Sequence, residues 1–184
     1  MRTIAGAVLG LGLLAGGAAH AQGFTLSSPA VTEGGTLQAE NIYNSFGCTG
    51  NDISPALNWT GAPAGTKSYA VTLYDPDAPT GSGFWHWSMF DIPATASGVV
   101  ENAGNPGAHL APKGSIQVRN DYGTIGYGGP CPPKGDKPHH YVFTVFAVDA
   151  ATLGPKADAT PAVVGFNLHY HTLAKATLTG MYGR

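Results

Sequence analysis

Apolar and polar positions alternate with a period of two over most of the chain, the signature of half-buried or inner β-strands. In residues 67–75, Tyr69, Val71 and Leu73 share one face and Asp75 continues the alternation, so an apolar face ends in a carboxylate. In residues 84–91, His86 falls on a face with Phe84, Ser88 and Phe90, while Trp85, Trp87 and Met89 take the other. Both faces are apolar, which predicts an inner strand covered on both sides. In a third run His139, Tyr141, Phe143 and Val145 share a face, so His139 enters the protein from a strand end as Asp75 does. Helical spacing occurs once. Thr160 reads as a cap and Pro161 as the first helical residue, and Val163, Phe166, Tyr170, Leu173, Ala174, Thr177 and Leu178 recur up to Gly180. That pattern predicts one amphipathic helix near the C-terminus. Residues 98–138 read as a long connection, longer than a passive loop needs, with a short strand at 116–118 and a turn at Asn120-Asp121-Tyr122-Gly123. With 27 glycines and 14 prolines spread between the strand runs, the fold class is mainly antiparallel β with minor helix.

Composition narrows the setting. Met1-Arg2 precede an apolar run from Ile4 to Leu14 and small residues ending Ala19-His20-Ala21, the pattern of a secretory signal peptide (1–21) followed by a single domain (22–184). The run is shorter than the roughly 20 residues a bilayer span requires, and no second one follows, so no membrane span is expected after cleavage. The predicted location is periplasmic or secreted. In that setting Cys48 and Cys131, both in Gly/Pro-rich loops, are most simply a disulfide. The formal charge is −2 and the basic residues are scattered, which argues against nucleic acid as a partner.

The chemistry-bearing residues fall in two clusters. The first is Asp75-Pro76-Asp77-Ala78-Pro79, two carboxylates fixed between prolines at a strand end, with His86 shortly beyond. The second is Gly128-Gly129-Pro130-Cys131-Pro132-Pro133, then His139-His140-Tyr141. Imidazoles can donate to the oxygens of an anion, and carboxylates can orient them or accept from a ligand amine. Two other readings use the same residues: an exported hydrolase with Asp/His acid–base chemistry, and a metal-binding module holding zinc on His86, His139, Asp75 and Asp77. No Ser-His-Asp pattern, HExxH or phosphate-cradling glycine loop supports an enzyme.

The ordered set Asp-Pro-Asp-x-Pro, Trp-His, Gly-x-x-Pro-Pro and His-x-Tyr, with Ser54-Pro55-Ala56-Leu57-Asn58-Trp59 upstream, resembles the phosphatidylethanolamine-binding, Raf kinase inhibitor-like family, from about Phe24 to the C-terminus. The resemblance implies a β-sandwich, a large central sheet packed by a smaller one with a few peripheral helices. It implies a non-enzymatic protein without cofactor that binds phosphate-type head groups or small oxyanions at Asp75, Asp77, Pro79, His86, Gly129, Pro132, Pro133, His139 and Tyr141. It implies a cis Ala78-Pro79 bond, to which the crowded turn also points. His140 stands where the family usually carries arginine and reads as the outward partner of His139. The segment between Asp77 and His86 is short and no further helix follows Arg184, so a more open pocket than in larger members is expected. A protein target is unknown, kinase inhibition is not inferred from the family name, and a homodimer is left open.

Overall fold

The computed structural model describes residues 23–184; the expected signal peptide, 1–21, lies outside the described residues. Two antiparallel sheets face each other. The smaller has the order β1 (Thr25–Ser27), β2 (Leu57–Thr60), β5 (Gly98–Val99). The larger has the order β6 (Ile116–Gln117), β4 (Phe84–Pro93), β3 (Ser68–Asp75), β7 (His139–Val148), β8 (Thr172–Tyr182). The central strands β3 and β7 are rich in β-branched and aromatic residues and buried on both faces, as their unbroken apolar runs require. Between the sheets, Leu57, Trp59 and Val99 meet Val71, Leu73, Trp87, Met89, Tyr141, Phe143 and Val145. On the opposite face of the large sheet, Ala70, Phe90, Val118 and Val148 are covered by Val164 and Leu168 of α1 (Pro161–His171). The protein therefore has three layers: small sheet, large sheet and helix.

Thr160 caps α1 as expected, its hydroxyl accepting from the Val163 N–H, with Pro161 in the first turn. The helix is shorter than the periodicity suggested. It ends at His171, and residues 172–182 form β8, paired with β7 along its whole length from His139↔Tyr182 to Val148↔Thr172. Ladder bonds to a central strand outweigh the weak helical propensity of a threonine-rich segment. The junction is fixed by the Thr172 hydroxyl donating to the Leu168 carbonyl and by His171 Nδ1 at 2.8 Å from Asp149 Oδ1. The helical stripe read from the sequence also chose the outer face. Phe166 and Tyr170 are 64% and 66% exposed, whereas the buried contacts are Pro161, Val164 and Leu168.

The long connection is ordered by short elements, including β5, a 3-10 turn at Pro106–Ala108 and β6. All described peptide bonds are trans, Ala78-Pro79 included, which corrects the expected cis bond. The Asp75 carboxylate supplies the turn's organisation instead, accepting from the N–H groups of both Asp77 and Ala78. Cys48 and Cys131 are joined in a disulfide.

Candidate functional site

Three strand ends converge at one edge of the large sheet: the end of β3 with Asp75, the start of β4 with Phe84 and His86, and the start of β7 with His139 and Tyr141. The register there contains a β-bulge. Leu73 pairs with Trp87 and Tyr74 with Trp85, so His86 is an extra residue inserted opposite β3. The insertion breaks the strict alternation expected from the sequence. His86 and Trp87 both turn toward the inter-sheet side, where Trp87 and Met89 join the core, while Trp85 and Phe90 face the helix layer. His86 therefore does not share a face with Phe90. Bulges recur beside functional sites because they re-aim a side chain without ending the strand.

The bulged residue is held by the proline-walled loop. The Gly128 N–H donates to the His86 carbonyl at 2.9 Å, and His86 Nδ1 donates back to the Gly128 carbonyl at 2.7 Å. Upstream, the Asp121 N–H donates to the Trp85 carbonyl at 2.9 Å and Asp121 Oδ2 accepts from the Trp85 N–H at 2.7 Å. Gly129 allows the loop to lie against residues 41–43, since a Cβ there would collide with the Asn41 carbonyl.

These elements enclose a cavity of about 270 Å³ lined by Asp75, Pro79, His86, Pro132, Pro133, His139 and Tyr141, seven of the nine residues named from the sequence. Asp77 and Gly129 do not line it. The Asp77 side chain turns outward, where its Oδ2 accepts from the backbone N–H of His140 and pairs with His140 Nδ1, both at 2.7 Å. These bonds hold the Asp77 carboxyl below its ordinary range. Gly129 acts through its backbone, donating to Asp52 Oδ1 at 2.7 Å and accepting from the Tyr122 hydroxyl at 3.0 Å. Seven other residues complete the wall, and among those not singled out as site residues from the sequence are Phe46, Phe84, Asp121 and Tyr122. The Tyr122 ring touches Tyr43, Phe46, Phe84 and His86, with centroid distances of 3.9, 5.5, 4.6 and 5.4 Å. The aromatic residues flanking the glycine-rich turns carried this signal, but nothing in a turn pattern says which way its ring points.

Asp75 is buried and fully engaged. Its Oδ1 accepts from the N–H groups of Asp77 and Ala78 at 2.8 and 3.1 Å, and its Oδ2 accepts from His139 Nδ1 at 2.8 Å. A carboxylate so occupied orients an imidazole rather than abstracting a substrate proton. His139 Nε2 stands 3.5 Å from Asp136 Oδ2. Both imidazoles adjoin the Tyr141 ring, at 5.2 Å for His86 and 6.4 Å for His139. The Tyr141 ring lines the cavity, and its hydroxyl is buried beside the Asp75 carboxylate without a hydrogen bond of ordinary length. Burial, and then the Asp75 charge, push this phenol well above its ordinary range, so it remains a neutral donor. None of the lining residues is lysine or arginine, and among the described residues no group of three or more His, Cys, Asp or Glu side chains is placed to hold a metal ion.

Burial drives the His86 pKa down to about 4, against weaker opposing effects of the Gly128 carbonyl and Asp75. The unfolded ring, at 6.5, takes up a proton that the folded ring refuses. This contribution is therefore fully present above pH 6.5 and lost as the pH falls toward 4. Asp52, raised to about 6 mainly by burial, works in the opposite direction over part of that range. The His86 effect is isolated by comparing urea unfolding of wild type and His86→Gln. Wild type is expected to lose about 2–3 kcal/mol relative to the variant between pH 7 and pH 4.5. A constant difference would show that His86 is not buried neutral.

A two-sheet β fold with a walled, imidazole-bearing pocket at converging strand ends defines a class of β-sandwich, and comparison with known proteins places the chain in a family. The model of the phosphatidylethanolamine-binding protein family matches residues 27–183, and the chain belongs to that family. The UPF0098 proteins YbcL and YbhB of Escherichia coli K12 are each 45% identical to it, over 164 and 157 residues. Those alignments cover 89% and 85% of this chain and 90% and 98% of the relatives. The crystal structure of E. coli YbcL, described as a new member of the mammalian PEBP family, superposes with a TM-score of 0.86 over 88% of this chain and 98% of that one. A putative PEBP homolog from Chlamydia trachomatis, 28% identical, gives 0.73 over the same shares of the two chains.

Proposed function

We propose that this protein is an exported small-molecule-binding protein whose pocket takes a phosphate-type oxyanion, free or as a phosphorylated head group. The observation that carries the reading is the meeting of His86, His139 and the Tyr141 ring in one cavity, with His139 held in orientation by a buried carboxylate. Proline and aromatic walls give the pocket a preformed shape, as small-ligand sites require. The disulfide and the N-terminal signal pattern support a periplasmic or secreted location. The saturated hydrogen bonding of Asp75 favours binding over acid–base turnover.

Calorimetry with inorganic phosphate and phosphoethanolamine tests the reading. His139→Ala is expected to weaken both about tenfold, the effect of removing one hydrogen-bonding side chain from the cavity wall. His109→Asn is the control, since His109 is exposed and its left-handed backbone (φ 54°) suits asparagine. Absence of binding by wild type, or an undiminished affinity in His139→Ala, would overturn the assignment.

A further inference from the structure

The polar lining of this pocket consists largely of acceptors. Both oxygens of Asp75 are taken and Asp121 Oδ2 accepts from the Trp85 N–H, while Asp136, outside the lining, stands 3.5 Å from His139 Nε2. His86 adds another acceptor for a geometric reason. Its Nδ1 lies 2.7 Å from the Gly128 carbonyl oxygen, and a carbonyl can only accept, so Nδ1 carries the proton. In the neutral ring Nε2 is then a bare lone pair. The ring is 2% exposed, lines the cavity, and makes no hydrogen bond through Nε2 within the protein. An oxyanion without a proton would set lone pair against lone pair at this atom.

We infer that the pocket selects oxyanions carrying their own acidic proton, namely inorganic phosphate and phosphomonoesters in the singly ionised P–OH form, with His86 Nε2 accepting from that hydroxyl. Phosphodiesters and sulfate, which have no such proton, are rejected. The inference rests on the oxyanion reading above and sharpens it, because the phosphate of an intact glycerophospholipid is a diester whereas its released head group is a monoester.

The alternative is that His86 becomes an imidazolium on binding. The groups bearing on the ring are the carboxylates of Asp75 and Asp121 and the carbonyls of Gly128 and Gly129, all favouring the proton, and these are outweighed by burial. The rings packed around it, Phe84, Tyr122 and Tyr141, supply no charge to change that balance.

The test compares methyl phosphate with dimethyl phosphate by calorimetry at pH 5.5, with sulfate as a third ligand. At that pH both organic phosphates are predominantly singly charged, and only the first keeps a P–OH. Methyl phosphate is expected to bind about thirtyfold more tightly or better, the ratio set by the displacement of a pKa of about 4 from pH 5.5. Nitrogen-15 spectra of the methyl phosphate complex are expected to show His86 still neutral, with its proton on Nδ1. Equal affinity for the diester, or an imidazolium at His86 in the complex, overturns the inference while leaving the oxyanion reading intact. Failure of all three ligands to bind overturns both.

Discussion

Asp75→Ala is expected to destabilise the domain by about 3–5 kcal/mol, the usual consequence of leaving several buried donors without their acceptor. Three donors lose their acceptor at once: the backbone N–H groups of Asp77 and Ala78, and the Nδ1–H of His139. The turn that carries β3 into β4 and the orientation of the first imidazole of β7 then fail together. Asp75→Asn separates the two roles. Its amide oxygen can still serve the turn, but its NH2 faces the His139 ring and forces the other tautomer, leaving Nδ1 as acceptor. Urea unfolding of both variants checks the expectation. The alanine variant should lose most of the stability, and the asparagine variant should retain more than half of what alanine loses while binding phosphate more weakly. An alanine variant as stable as wild type would show that the carboxylate does not organise this corner.

Breaking the Cys48–Cys131 bridge is expected to cost about 4–5 kcal/mol in the chain-entropy account, because it closes a loop with a sequence separation of 83. Both ends sit at the pocket. Cys131 is part of the cavity wall, and Phe46, two residues before Cys48, forms part of its rim. The Arg184 side chain ties the same region by donating to the carbonyls of Pro132 and Gly47 at 2.7 and 2.8 Å. A Cys48→Ala/Cys131→Ala protein should therefore melt lower and, where still folded, bind phosphate more weakly as Phe46 drifts from Tyr122. Alkylation with intact-mass measurement on exported protein gives the redox state directly and reads the N-terminus, expected at Gln22. Two freely alkylated thiols in native exported protein would count against the bridge as a structural feature.

The parts of the fold legible in the sequence were those governed by strict periodicity. Tyr69, Val71 and Leu73 lead to Asp75, and Tyr141 and Phe143 follow His139, because β3 and β7 are regular along the facing register that joins them. The period-two reading failed at His86, where one inserted residue shifts the strand by half a period, and a bulge leaves no compositional mark when its residue is not glycine. The helical reading failed after His171, where a threonine-rich edge strand also offered apolar residues at helical spacing, and pairing with β7 decided the outcome. Asp77, a site position implied by the family resemblance, turns outward to pair with the backbone and ring of His140. The walls contributed by Phe46 and Tyr122 depend on how distant loops pack, information that is not local. Cys48 and Cys131 were legible because only two cysteines had to be paired.

The route by which the chain reaches its native state follows from the same topology. The hairpin of β3 and β4 can form from neighbouring sequence, bringing Asp75 close to Phe84 but leaving the pocket without His139, Tyr141 or the proline wall. Those arrive only when β7 docks on the far side of β3, a contact between segments more than sixty positions apart, as the Asp75–His139 separation of 64 shows. Long-range strand pairing of this kind is slow relative to hairpin closure. A chain paired only as far as the β3–β4 hairpin therefore lacks the His139, Tyr141 and proline walls of the pocket, and the cavity exists only in the finished molecule.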